Sequence, residues 1–138
     1  MGEVRDVAER FYKLFEAGDL DGTDELFADS CKTVTPMATL DKSEHKAFGQ
    51  AFKNGLPDAH MEVVRAVESG NELFVAGRFK GTHKGDLVSP QGTVPASGNA
   101  IDVPFTDYWK VADGKIVEHD ALWDQMTMMG QMGALPPS

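Results

Sequence analysis

The sequence predicts an α+β fold: a strongly bent antiparallel sheet wrapped around N-terminal helices. Three observations predict it. Apolar residues recur at helical spacing through the first third of the chain, the period changes to two from Asp58 onward, and the helices precede the strands instead of alternating with them. A bent sheet closing over a helix leaves a cavity between the two layers.

The first helix is expected over Glu3–Ala17, where Val4, Val7, Ala8, Phe11, Leu14 and Phe15 form one face. Gly18 follows as a candidate C-cap, and Asp19 can cap a short second helix carrying Leu20, Leu26 and Phe27. Cys31–Thr35 reads as a short strand ended by Pro36. A third helix is expected to begin at Ser43, with Ala47, Phe48, Ala51 and Phe52 inward; Lys46 stands three residues after Ser43, so no capping box is expected. Gly55 and Pro57 stop this helix.

Met61–Glu68 alternates, Ser69-Gly70-Asn71 signals a turn, and Leu73–Thr82 completes a hairpin. Gly85–Gly98, rich in Gly, Pro and Ser, reads as a loop. Ala100–Val111 and Lys115–Leu122 are two further strands joined at Ala112-Asp113-Gly114. The methionine-rich tail, Trp123–Gly133, reads as a short helix that fills gaps or lines an apolar mouth, and Pro136-Pro137 frays the end. Residues 1–138 read as one domain.

Charge excludes several partners. With 13 Lys+Arg against 22 Asp+Glu, the net charge is −9, which argues against nucleic acid and anionic membrane surfaces. Cys31 is the single cysteine, so an intramolecular disulfide and a multi-cysteine metal site are excluded. It reads as a buried small residue rather than a catalytic thiol. No signal-peptide pattern and no apolar run of about 20 residues is present, so a cytoplasmic location is expected. Phosphate-loop, dinucleotide, H-E-x-x-H and G-x-S-x-G motifs are missing, and His45, His60, His83 and His119 are scattered, so no metal site is expected.

The remaining chemistry lies in carboxylates with apolar company. Asp107 shares a strand face with Phe105, Trp109 and Val111. An ionised carboxylate there is costly to bury without a partner, so it is either functional or paired at a sheet edge with Arg78 or Lys80. Asp124 stands between Trp123 and Met126, where strand gives way to the tail helix. Two readings stand side by side: a desolvated acid/base with raised pKa, or the N-cap of that helix. His83 ends a strand and either orients a ligand oxygen or is an exposed turn residue. His119 adjoins Glu118, so the two face opposite ways and make no simple dyad. Tyr108 and Trp109 line a pocket or fill the core.

Gly81-Thr82-His83-Lys84-Gly85-Asp86, Asp113-Gly114-Lys115-Ile116-Val117-Glu118-His119, Asp124 and Gln131-Met132-Gly133 together resemble the SnoaL-like polyketide cyclase and ester cyclase family, related in fold to ketosteroid isomerase. The resemblance covers nearly the whole chain. It implies a cone-shaped α+β barrel, a homodimer packed through the sheet, no metal or organic cofactor, and a small hydrophobic ligand. By motif position Asp124 is the general acid/base of an aldol closure, supported by Asp107 and His83. The pocket wall would comprise Phe15, Phe52, Tyr108, Trp109, Asp120, Trp123 and Met126. Asp120 stands where the family commonly has Trp, adding a carboxylate near Asp124, and the 86–99 loop is long. Three functions follow as expectations: a cyclase or isomerase on a carbonyl compound, a non-catalytic binding or dimerisation module, and a hydrolase with water held between Asp107 and Asp124.

Overall fold

The computed structural model describes residues 2–89 and 92–134. Its main layer is a curved six-stranded sheet, ordered β2-β1-β8-β7-β4-β3, and a two-stranded hairpin, β5-β6, stands apart from it. The strands are β1 (Thr33–Val34), β2 (Thr39–Leu40), β3 (His60–Ser69), β4 (Glu72–Thr82), β5 (Leu87–Ser89), β6 (Gly92–Val94), β7 (Ala100–Ala112) and β8 (Lys115–Trp123). Pairing is antiparallel except for β1, which runs parallel to β8. The α+β class and the mostly antiparallel curved sheet are therefore as the sequence predicts. The helices are α1 (Glu3–Glu16), α2 (Leu20–Glu25), α3 (Lys42–Gly55) and α4 (Gln125–Gln131).

Helix α1 buries Val4, Val7, Ala8, Phe11, Tyr12 and Phe15 beneath the sheet. Gly18, at φ 77°, lets the chain reverse into α2, whose Asp19 cap accepts from the Gly22 N–H at 2.8 Å. Helix α3 does carry a capping box, two residues earlier than the expected start at Ser43. Asp41 Oδ1 accepts from the Glu44 N–H at 2.8 Å, and Glu44 Oε1 accepts from the Asp41 N–H at 3.0 Å. Aspartate serves there as Ser or Thr would, so the helix starts at Lys42.

The sheet bends where its registers slip. Val63 pairs with Gly77 and Arg65 with Ala76, which leaves Val64 as an extra residue in β3. A Cβ on Gly77 would collide with the Glu62 carbonyl beside that bulge, so glycine permits the close approach. Asp113 and Gly114 turn β7 into β8 with φ of 51° and 76°, the mirror-image turn that suits strand twist. Three residues further on, Lys110 faces Glu118 whereas Val111 faces Ile116, so Val117 is bulged. This slip determines which side chains of β8 face inward.

One loop expectation changes, and one strand appears that no expectation named. The 85–98 segment is not loop throughout, because Leu87–Val94 and Val88–Thr93 pair as the β5–β6 hairpin. The Thr39–Leu40 strand, unmarked by periodicity, pairs with β1 after Pro36 turns the chain. Pro136-Pro137 lies outside the described residues. No helix among the described residues is long and apolar enough to cross a membrane. Cys31 is buried, and burial first, then the Glu118 charge, pushes its thiol up to about 11, as befits an inert core residue.

Candidate active site

Four elements converge beneath the curve of the sheet. Helix α1 brings Tyr12, strand β7 brings Asp107 and Trp109, strand β8 brings His119, and α3 brings His45. In the β7–β8 register Asp107 faces Ala121 and Trp109 faces His119, so Asp107 and His119 are diagonal neighbours on the inner face. The Val117 bulge is what turns His119, Ala121 and Trp123 to that side.

Asp107 is buried with partners. The Tyr12 hydroxyl donates to its Oδ2 at 2.5 Å, and the Trp109 Nε1–H donates to the Tyr12 oxygen at 3.3 Å. Burial, then the neighbouring Asp107 charge, pushes the Tyr12 phenol up, so it stays protonated and keeps donating. The other carboxylate oxygen, Oδ1, stands 3.6 Å from His119 Nε2, which has no hydrogen-bond partner among the described residues. Thr33 Oγ1 holds His119 Nδ1 at 3.2 Å, and the imidazole stacks on Trp109 with centroids 3.8 Å apart and planes at 13°. The ring is thus fixed by a hydrogen bond at Nδ1 and by stacking on one face, with Nε2 left facing Asp107.

His45 completes the polar floor. Its ring centroid lies 5.5 Å from that of His119 and 4.8 Å from that of Phe27. Burial first, then His119, lowers its pKa to about 3, so near neutral pH it is an uncharged imidazole able to donate one hydrogen bond. Above this floor lies a cavity of about 110 Å³ walled by Phe11, Phe15, Phe48, Phe52, Phe79, Phe105 and Trp123, among others. Apolar walls with few convergent polar groups are the usual form of a small-molecule site.

The structure redistributes the sequence-predicted residues. Asp107, Phe15, Phe52 and Trp123 line the cavity. Trp109 is fully buried behind His119 as its stacking support. Asp124 does not line the cavity: it is exposed and caps α4, with Oδ1 accepting from the Thr127 N–H at 3.0 Å. That bond holds its carboxyl below the usual range, the reverse of the raised value an apolar setting would give. The water-between-carboxylates arrangement accordingly lacks one wall.

His83 is fully buried, not an exposed turn residue, but it is no part of the cavity lining. Its Nδ1 accepts from the Ser97 N–H at 3.3 Å and lies 2.9 Å from Ser97 Oγ, fastening the segment before β7 to the end of β4. Tyr108 and Asp120 face each other across β7 and β8 on the outer side of the sheet, and the Tyr108 hydroxyl donates to Glu72 at 2.6 Å. Met126 is 68% exposed and lies outside the cavity. Arg78 pairs with Asp102 and Lys80 with Glu62, so neither neutralises Asp107.

Sequence reasoning missed Tyr12, His45 and His119. Tyr12 adjoins Phe11 on the apolar stripe of α1, a position where a hydroxyl needs a buried acceptor. Asp107 is that acceptor, and pairing the one unsupported inward carboxylate with the one inward phenol was the available signal.

The family model described as SnoaL-like polyketide cyclase matches residues 5–132. No curated protein matches the chain in sequence. Among solved structures, the chain is similar to a proposed SnoaL-like polyketide cyclase from Jannaschia sp. CCS1, with TM-score 0.83, 21% identity, and 98% of this chain and 94% of that chain covered. It is similar to IdmH, a proposed polyketide cyclase from Streptomyces antibioticus, with TM-score 0.78, 25% identity, and 96% and 99% covered. A protein of ketosteroid isomerase-like fold from Catenulispora acidiphila DSM 44928 gives TM-score 0.75, 15% identity, and 94% and 93% covered.

Proposed function

The chain belongs to the SnoaL-like polyketide cyclase family, and from that premise we propose that it is a general acid/base cyclase or isomerase acting on a small hydrophobic carbonyl compound through Asp107 and His119. The observation that carries this is the pairing at the cavity floor: a buried carboxylate held by Tyr12, set 3.6 Å from an imidazole nitrogen that has no hydrogen-bond partner among the described residues. Asp107 Oδ1 takes a proton from the carbon next to a substrate carbonyl. The His119 Nε2–H and the neutral His45 donate to the enolate oxygen as charge develops there. In a cyclase the enolate carbon then bonds to a second carbonyl carbon of the same molecule, and the proton on Asp107 passes to the new alkoxide. In an isomerase the same proton returns at a different carbon, so the proton count balances in both cases.

The test is exchange of the α-protons of an aryl 1,3-diketone with deuterated water, followed by NMR. Wild-type protein accelerates exchange, and Asp107→Asn and His119→Ala each lower the enzymatic rate by about 10²–10⁴-fold. Full exchange by Asp107→Asn sinks the assignment. A binding-only module is the second reading, favoured by Asp124 serving as an exposed helix cap; tight diketone binding with no exchange supports it. The outer sheet face also fits the homodimer that the family resemblance implies, since Val67, Phe74, Tyr108, Asp120 and Val34 form one row across five strands.

A further inference from the structure

A second cavity, of about 300 Å³, adjoins the reaction pocket. Phe48 and Phe52, one turn apart on α3 with ring centroids at 4.8 Å, and Met128 of α4 line both spaces as a common wall. The far side is built from Ala51 of α3, Leu87 and Val94 of the β5–β6 hairpin, and Met37 and Met129. Leu87 packs tightly on α3, since a Cβ on Gly55 would stand 3.3 Å from its side chain.

Size and chemistry indicate what this second space takes. The reaction pocket, at about 110 Å³, holds a compact aryl carbonyl unit but no long chain beyond it. The rest of any longer substrate needs another apolar volume, and the adjoining one is nearly three times larger. Among the described residues its lining carries no Asp, Glu, Lys, Arg or His, so they offer nothing to a charged end group. Three methionines, Met37, Met128 and Met129, contribute unbranched side chains that adapt to a chain of variable shape.

We propose that this second cavity binds the uncharged alkyl end of an elongated substrate whose carbonyl end reacts at Asp107 and His119. The inference rests on the reading of the first cavity as the reaction site. It assigns Phe48, Phe52 and Met128, which border both spaces, as the side chains past which the chain runs from one to the other, and Ala51 as the position that limits its length.

Binding of phenyl ketones from acetophenone to decanophenone, followed by titration calorimetry, tests this. In wild-type protein affinity rises roughly fourfold per methylene until the second cavity is filled. Ala51→Trp, which fills that cavity alone, abolishes the rise and leaves acetophenone affinity within about twofold of wild type. Ala51→Met, a milder change that keeps the fold safe, stops the rise at a shorter chain. A carboxylate at the end of the alkyl chain lowers affinity by tenfold or more. Equal chain-length dependence in wild type and both Ala51 variants overturns the inference. If acetophenone fails to bind while the chain-length rise and its loss in Ala51→Trp remain, the second cavity stands and the reaction-site reading falls.

Discussion

Replacing Tyr12 by Phe removes one oxygen from the buried floor and leaves the ring in place against Phe11, Phe105 and Trp109. That oxygen makes two bonds, donating to Asp107 and accepting from the Trp109 indole. A bond to a charged group is worth about 1.5–3 kcal/mol, and a neutral one about 0.5–1.5 kcal/mol. Tyr12 is buried, so neither figure needs discounting for solvent, and the expected loss is about 2–4 kcal/mol. For a chain of this length that lowers the melting temperature by roughly 6–15 °C. Urea unfolding at pH 7 measures the loss. The alkaline limb adds a second signature. The phenol's folded pKa is raised above its unfolded value, so its contribution is fully present below about pH 10 and falls as pH rises beyond it. Tyr12→Phe flattens that fall; Tyr108→Phe is the control, because Tyr108 is also raised, by its bond to Glu72. A loss below about 0.5 kcal/mol, with an unchanged alkaline limb, refutes the view of Tyr12 as the buried support of Asp107.

Three further outcomes follow from the same geometry. His45 is neutral in the fold down to about pH 3, whereas an unfolded histidine protonates near 6.5, so stability falls by about 1.4 kcal/mol per pH unit below 6.5. His45→Phe removes that fall, and urea unfolding at pH 7 and 4.5 should show the variant gaining about 2–3 kcal/mol on wild type between the two. Asp124→Ala removes the α4 cap without touching the cavity, so it lowers thermal stability slightly while diketone exchange continues; loss of exchange in a folded variant would restore Asp124 as the acid/base. Phe74 is 59% exposed beside Val67, 65% exposed, on the outer face, and Phe74→Glu should convert a dimer to monomer in sedimentation velocity, with an unchanged profile counting against that face as an interface.

Periodicity reveals elements more readily than it reveals faces. Helix α1 and the long strands follow from spacing alone, because each has one apolar stripe that must be covered. The inward set of β8 does not, since two-residue counting back from the Asp113-Gly114 turn puts Glu118 opposite Trp109. The Val117 bulge shifts the register by one and substitutes His119. A local insertion of this kind leaves no compositional trace, yet it decides which ionisable side chain meets Asp107. The Asp41–Glu44 box was legible but displaced by two residues from the apolar run that drew attention to Ser43. The β5–β6 hairpin was hidden because its strands span three residues each, too short for alternation to register. Asp107 was visible for a physical reason: a carboxylate on an otherwise apolar strand face needs a partner, and the partner lay ninety-five residues away on α1. Motif position pointed to Asp124, but a side chain at the strand-to-helix junction finds a nearer use in capping.

The most direct measurement of the central claim is a ¹³C and ¹⁵N NMR titration of labelled protein with an aryl 1,3-diketone, following the carboxyl carbons of Asp107 and Asp124 and the imidazole nitrogens of His119. Asp107 and His119 should shift together and saturably while Asp124 stays still. Movement of Asp124 with Asp107 and His119 unchanged would contradict that claim and place the ligand at the start of α4.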